Sequence, residues 1–314
     1  MRISPDAARK AMLEWQNVPL NRISPESAEE ELKEHYGVSS ELATEIWKKI
    51  CNISRSDLKL TKQEKSMKGF FHYSITLHFM WAYPKNAKIL GRSFGNVLGA
   101  MSHARGEKIR KWILRIEHLR LEVIKWPVAE FNDPNGHIFI VSVDCTDFRQ
   151  QEKKHDEYHR DKKECSEKLK QCATKFEVAI HLWKSKVVWL NGPFRGGKHD
   201  KTIFVEDGLG DIIPKGKLAI VDRGYKIKKE QQEYKDKVAM PRHTDNPELS
   251  EFKSRGRSWH EKFNGRMKRF AIMDALFRHG GGGEQARSLY GKVVRAVAVI
   301  CQIEMDLGSP LFEI

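Results

Sequence analysis

The chain has 314 residues, of which 56 are Lys or Arg and 42 are Asp or Glu, so its formal net charge at pH 7 is +14. A surplus of this size favours a polyanionic partner, nucleic acid rather than membrane, over a merely soluble basic protein. No apolar run reaches the roughly 18 residues of a membrane span, and the N-terminus MRISPDAARKAMLEW lacks the apolar core of a secretory signal. The five cysteines are odd in number and show no Cys-x-x-Cys spacing, which fits a reducing compartment. We therefore expect an intracellular protein without membrane segments.

Residues 1–126 are predicted to form a helical N-terminal region. Ser24-Pro25 combines a capping hydroxyl with a proline at the first helical position, and this helix is expected to end near Tyr36-Gly37. A second helix begins at Ser39 or Ser40, and an apolar stretch runs from Phe70 to Trp81. These helices carry apolar faces, so they are expected to pack together.

The most regular helical pattern is Arg105 to Ile124, which has apolar residues on one face and Lys108 and Lys111 among the cations on the others. With a predicted helix over Lys85–Phe94, it favours a helix-turn-helix that contacts DNA. A solvated basic face on a structural helix explains the pattern equally well. The segment Gly95–Gly106 is longer than a tight helix-turn-helix turn, which argues against reading of a DNA groove.

Residues 127–314 are predicted to form an α/β domain. Three closely connected strands are expected to build an antiparallel meander, and a fourth precedes Asp222. The predicted strands are Gly136–Asp144, Lys175–Trp183, Lys186–Leu190 and Leu218–Val221. Asn191–Gly197 is predicted to be a glycine-rich loop at the rim of a site, and His199 to begin a helix. A long helical stretch, Glu248–Phe277, and a final helix, Glu284–Met305, complete the domain.

Three acids follow or face these strands in a pattern typical of a two-metal site: Asp144, Asp222 and Glu261. Hard divalent cations prefer carboxylate oxygens, and two of them about 3.5–4 Å apart can serve both oxygens of an in-line phosphoryl displacement. The alternatives are a turn cap at Asp144 with Asp147 in an Asx turn, a plain turn acid at Asp222, and an exposed helix acid at Glu261. Nearby Arg266, Lys268 and Arg269 favour a phosphate partner for the last.

Four segments resemble the DDE superfamily endonucleases, specifically the PIF/Harbinger-type transposases and their domesticated nuclease relatives. They are Val143-Asp144-Cys145-Thr146-Asp147-Phe148; Val187–Pro193 with Gly196-Gly197-x-His199-Asp200; Asp222-x-Gly224-Tyr225; and His260-Glu261-x-x-Asn264-x-Arg266-x-Lys268-x-Phe270. Together they span roughly residues 137–272, and their order is specific although each alone is weak.

The resemblance implies a ribonuclease-H-like catalytic core, a mixed sheet flanked by helices, preceded by the α-helical, helix-turn-helix-like region. It implies that Asp144, Asp222 and Glu261 are the catalytic and metal-binding triad, with Mg²⁺ or Mn²⁺ as cofactor. The implied activity is hydrolysis of DNA phosphodiesters and strand transfer. The alternatives are a domesticated, non-transposing nuclease and a non-enzymatic basic DNA-binding protein with a remnant DDE fold.

Supporting roles are predicted from the residues themselves. Asn264, Arg266 and Lys268 are expected to contact the DNA backbone, as are Lys108 and Lys111 in the N-terminal region. Asp147 would support the site, and His199 would either orient the scissile strand or pack as a structural histidine. The expected partners are DNA, a separate Myb-like DNA-binding protein and a second copy of the chain, and the expected location is the nucleus.

Overall fold

The structure is a computed structural model that describes residues 2–16, 18–19, 23–84, 103–152, 161–279 and 282–313, with the backbone alone for 103–105. The predicted helix over Lys85–Phe94 and most of Gly95–Gly106 lie outside these ranges. The helix-turn-helix therefore stays a prediction.

Seven described helices precede the first strand. They are α1 Pro5–Glu14, α2 Pro25–Tyr36, α3 Ser40–Cys51, α4 Met67–Ala82, α5 His103–His118, α6 Arg120–Val123 and α7 Val128–Phe131. The predicted basic helix over Arg105–Ile124 is thus divided at Leu119, which is buried between α5 and α6 along the chain.

The rest of the chain alternates strands and helices. The strands are β1 Phe139–Arg149, β2 Cys165–Ser166, β3 Gln171–His181, β4 Val187–Arg195, β5 Leu218–Ile220 and β6 Val238–Ala239. The helices are α8 Asp200–Glu206, α9 Leu209–Ile212, α10 Gln232–Lys235, α11 Pro247–Lys268, α12 Ala271–Asp274 and α13 Gly283–Asp306, with 3-10 turns at Arg223–Tyr225 and Lys229–Gln231. The helix predicted over Glu248–Phe277 therefore ends at Lys268.

The chain divides into two compact units. Unit 1 comprises Met1–Arg120, Met267–Ala275 and Lys292–Leu307, and unit 2 comprises Leu121–Arg266, Leu276–Gly291 and Gly308–Ile314. The predicted division into 1–126 and 127–314 differs from this one mainly because two C-terminal segments belong to unit 1.

Unit 1 is a helical assembly built around buried aromatic rings. Ser24 caps α2 as predicted, its hydroxyl accepting from the Ser27 backbone N–H at 3.2 Å. The indoles of Trp47 and Trp112 stack with centroids 5.6 Å apart. Arg115, 0% exposed, donates to the Leu58 carbonyl at 2.9 Å and to Glu64 at 2.9 Å, which satisfies part of a charge that burial would otherwise penalise.

Unit 2 is built on a mixed six-stranded sheet in the order β2-β3-β1-β5-β6, with β4 paired to β3. The β1–β3 and β3–β4 pairs are antiparallel, which confirms the predicted meander, whereas β5 is parallel to both β1 and β6. Helices cover this sheet, an arrangement compatible with a ribonuclease-H-like core.

Two predicted strand ends are wrong. The first strand does not end at Asp144 but continues to Arg149, because β3 pairs with it as far as Arg149↔Ala173. The predicted loop Asn191–Gly197 is strand up to Arg195, since Phe194 and Arg195 pair with Lys175 and Thr174. One register shift between β3 and β4, between Lys175 and Glu177, lies opposite Gly192-Pro193, whose peptide bond is cis.

The side chains on the two faces of β1 have different surroundings. Val143 and Cys145 belong to a buried cluster that includes Phe204 of α8, Leu209 of α9 and Tyr225. Side chains alternate along a strand, so Ser142, Asp144 and Thr146 face the opposite way. In the described part of the chain, no helix is long and apolar enough to cross a membrane.

Candidate active site

Asp144 lies at the centre of the sheet, in the middle of β1 between β3 and β5. Ser142 and Thr146 lie on the same face of β1, and their contacts show where α11 packs. A Cβ at Gly256 would lie 3.8 Å from the Ser142 Cβ, and Thr146 donates to the Asn264 Oδ1 at 2.9 Å. Asp144 therefore lies on the face of β1 that α11 covers.

Asp222 follows the adjacent parallel strand, as predicted. Ser142 pairs with Ile220, so two residues further on Asp144 is about level with Asp222 on strands spaced by about 4.8 Å. The Asp222 Oδ1 accepts from the Gly224 backbone N–H at 2.7 Å, which caps the 3-10 turn and fixes the carboxylate. A Cβ at Gly224 would lie 2.9 Å from this oxygen and 3.1 Å from the Asp200 Oδ2, so a larger residue there would have to displace these carboxylates.

The electrostatics of Asp144 confirm that the two acids are neighbours. Burial first, and then the charges of Asp222 and Asp200, raise the pKa of Asp144 to about 6. The Cys145 backbone N–H donates to the Asp144 Oδ1 at 2.8 Å and acts in the opposite direction. Two neighbouring, half-buried carboxylates that repel each other form a site that a divalent cation would stabilise.

Glu261 occupies an exposed position on α11, one turn before Asn264. Within the described ranges, no three His, Cys, Asp or Glu side chains lie close enough together to hold a metal ion. The carboxylate donors of Asp144 and Asp222 thus fit a hard divalent cation as a pair. The contribution of Glu261 as third ligand stays a prediction.

A buried ion-pair network beside this pair was missed by the sequence analysis. The Lys175 Nζ donates to the Asp200 Oδ1 at 2.7 Å and to the Lys198 carbonyl at 2.9 Å, and lies 4.0 Å from the Asp147 Oδ1. Burial alone would lower the pKa of Lys175, but the Asp147 and Asp200 carboxylates outweigh it and raise that pKa. The Ser166 hydroxyl completes the network by donating to the Asp147 Oδ2 at 2.7 Å.

Glu177 is a second buried group that the sequence analysis missed. It is 0% exposed, and its Oε2 accepts from the Trp189 Nε1 at 3.1 Å. Burial raises the pKa of Glu177 to about 8, so the carboxyl is largely protonated at neutral pH. The available signal was the pair Lys175-x-Glu177, two charged residues alternating within a mostly apolar strand.

The other predicted site residues differ in their surroundings. His199 is the exposed N-cap residue of α8, and Asp147 belongs to the Lys175 network. Arg266 donates to the carbonyls of Ser309 at 2.5 Å and Pro310 at 3.4 Å. Asn264 accepts from Thr146, and Lys268 is the exposed last residue of α11.

In unit 1, the two predicted DNA-contacting lysines lie on α5. Lys108 is exposed, and Lys111 lies 3.4 Å from the Glu64 carboxylate. Neither placement tests the predicted contacts with DNA.

A comparison with known protein families shows to which family this chain belongs. The family model for the DDE superfamily endonucleases matches residues 143–302, just over half of the chain. The chain belongs to the DDE superfamily endonucleases. No curated protein and no solved structure matches it.

The family match covers the part of the chain that contains this site. The matched range begins one residue before Asp144 and includes Asp222 and Glu261. Membership among the DDE superfamily endonucleases supports a nuclease or transposase type of function, and enzymes of this kind typically use divalent metal ions.

Proposed function

We propose that this DDE endonuclease is a PIF/Harbinger-type nuclease that hydrolyses DNA phosphodiesters with Mg²⁺ or Mn²⁺ and transfers the resulting strands. One observation carries the proposal. Asp144 lies on β1 about level with Asp222, which follows the neighbouring parallel strand β5, and burial together with the charge of Asp222 raises the pKa of Asp144 to about 6. A bound cation would stabilise such a pair of carboxylates.

The residues have separate roles in this proposal. Asp144 and Asp222 hold the cations, with their carboxylates oriented by the backbone N–H groups of Cys145 and Gly224. Glu261 completes the coordination from α11. Bound cations lower the pKa of an attacking water and neutralise charge on the phosphate. Asn264, Arg266 and Lys268 support the proposal as polar and basic residues that follow Glu261 on the same helix.

The test is nicking of supercoiled plasmid by the full chain with Mg²⁺. Asp144→Asn and Asp222→Asn should each lower the rate on the order of 100-fold or more, because each removes a charge that holds the cation. Glu261→Gln should do the same, whereas Glu248→Gln, an exposed acid on the same helix, should cut at the wild-type rate. Equal nicking rates for the wild type and the two aspartate variants would refute the proposed nuclease activity.

A non-enzymatic DNA-binding protein is the second candidate, and one observation favours it. In the portion of the chain that the structure covers, Glu261 does not join Asp144 and Asp222 in a three-acid group. This candidate predicts that the wild type binds duplex DNA but does not nick it in the presence of Mg²⁺ or Mn²⁺.

The partners and the setting are also proposed. DNA is the substrate, a separate Myb-like protein supplies site recognition, the chain forms a homodimer, and it acts in the nucleus. Light scattering tests the dimer, and a fluorescent fusion tests the location. Mobility is tested by the DNA that flanks the gene: terminal inverted repeats bounded by a short target duplication would establish a transposon origin.

A further inference from the structure

Helix α11 contains two interior glycines whose surroundings differ. Glycine in a helix interior is unfavourable relative to alanine, so each position calls for a reason. Gly256 has one, since a Cβ there would lie 2.9 Å from the Leu182 Cδ2 and 3.2 Å from the Ile220 Cδ1. Close packing of α11 on the sheet therefore requires a small residue at Gly256.

Gly265 has no such reason within the fold. It is exposed, its φ is not positive, and a Cβ there would meet no described atom within 4 Å. Neither backbone conformation nor packing explains a residue that weakens the helix. A glycine at an open position does allow a ligand to approach the helix backbone closely.

The position of Gly265 indicates which ligand this is. Residues four apart lie on one face of a helix, so Arg257, Glu261 and Gly265 form a single exposed row. Within the described structure, the Arg257 guanidinium makes no hydrogen bond or ion pair, and neither does the Glu261 carboxylate. The row thus combines a cation without a hydrogen bond or ion pair, Arg257, with the proposed third metal ligand, Glu261, and a helix position without a side chain, Gly265.

Two cations of α11 beside the row, Lys262 and Arg266, are already engaged. The Lys262 Nζ donates to the Leu311 carbonyl at 3.3 Å, Arg266 donates to the carbonyls of Ser309 and Pro310, and the rings of Trp259 and Phe312 stack with centroids 3.8 Å apart. The C-terminal segment therefore covers the side of α11 next to the row. The row itself remains open to a ligand.

We propose that a DNA strand lies along the row Arg257–Glu261–Gly265, with its sugar–phosphate backbone against the bare helix at Gly265 and a phosphate on Arg257. This inference rests on the proposed function and specifies where the substrate lies. Arg is well suited to bind phosphate through two parallel N–H donors. Gly265 and Arg257 are thus positioning residues.

The test compares stability and DNA binding in the same variants. Gly265→Ala and Gly265→Gln introduce better helix formers at an open site, so both should raise Tm by about 2–4 °C. Both should nevertheless weaken binding of a fluorescein-labelled DNA duplex, measured by anisotropy in EDTA, by about threefold for alanine and about tenfold for glutamine. Arg257→Gln should reduce the dependence of binding on salt by about one phosphate contact.

Ser250, exposed near the start of α11, provides the matched control. Ser250→Ala and Ser250→Gln should leave binding unchanged. If the wild type binds duplex DNA and the Gly265 variants bind equally well, this inference is wrong while the proposed function is untouched. A lower Tm for Gly265→Ala would also overturn it, because the glycine would then have a structural role. If the wild type binds no DNA, the proposed function itself fails.

Discussion

At the scale of single residues, β3 shows two ways to keep a charged side chain inside a protein. Lys175 remains ionised because Asp147 and Asp200 surround it, whereas Glu177 is neutralised by taking up a proton. A lone buried charge would cost far more than either arrangement. The two residues are separated by Phe176 alone, so their surroundings rather than their strand decide the outcome.

Glu177 should make folding stability depend on pH. Its pKa is about 8 in the folded state against a reference value of 4.5, so between these values the folded state holds a proton that the unfolded chain has lost. Stability from this group is therefore present below about pH 4.5 and is lost as the pH rises through about 8. Glu177→Gln keeps the acceptor for Trp189 and should flatten this decline, measured by urea unfolding from pH 5 to 8.

The control for this prediction is Glu248→Gln, an exposed acid whose replacement should preserve the wild-type slope. A Glu177→Gln variant with the wild-type pH dependence would contradict the assignment of a buried, protonated carboxyl.

Lys175→Met should be strongly destabilising, by about 3–5 kcal/mol, because it leaves the Asp147 and Asp200 carboxylates without their cation. Lys184→Met offers a comparison on an exposed lysine that pairs with Glu130 at 2.5 Å, and it should cost less than about 1 kcal/mol. Chemical denaturation of both variants measures the difference. Equal losses would show that the Lys175 network contributes little.

How much of the site the sequence predicts depends on how local the signal is. Asp222 was predicted because an apolar strand and a turn surround it directly. Lys175 and Asp200 are 25 positions apart, and their ion pair depends on where β3 and α8 meet, which no short pattern contains. Asp200 did occur in the motif Gly196-Gly197-x-His199-Asp200, but without an assigned role.

At the scale of elements, α11 packs closely on the sheet at Gly256. Gly256→Val would place a branched side chain where even a Cβ is 2.9 Å from Leu182 and should destabilise the fold by about 1–3 kcal/mol. Gly265→Val makes the same chemical change in the same helix at an open position and should be close to neutral. Urea unfolding of the two variants checks the difference, and similar values would mean that α11 does not pack closely at Gly256.

Element boundaries were predicted well where capping chemistry marks them and poorly where pairing sets them. Ser24-Pro25 and Tyr36-Gly37 bound α2 as predicted. The ends of β1 and β4 were misplaced because polar residues and Gly192-Pro193 look like strand terminators in isolation. Hydrogen bonds from β3 extend both strands past these residues.

At the scale of the whole molecule, the formal charge of +14 makes DNA binding salt-dependent. Binding of a labelled duplex should weaken by at least about tenfold between 50 and 200 mM salt, as counterions compete for the phosphates. Anisotropy titrations at several salt concentrations measure the slope. Affinity that is indifferent to salt would contradict a contact dominated by phosphates.

The fold class and the family could be predicted from the sequence, whereas the segments that make up each of the two units could not. Alternating strands and helices with four ordered motifs led to a mixed sheet and to the DDE endonucleases, both of which hold. The inclusion of Met267–Ala275 and Lys292–Leu307 in unit 1 depends on contacts distant along the chain.

The strand β4 bears on how the protein behaves at high concentration. It pairs with β3 and with no other strand among those described, so the nine residues of its outer edge have no strand partner in the described sheet. Exposed edges of this length promote aggregation, but proline has no backbone N–H to donate and is tolerated chiefly at such edges. Pro193 interrupts the row of donors, and β6, with two residues, is too short to act as a template. Pro193 and the shortness of β6 should thus disfavour edge-to-edge association of the described sheet.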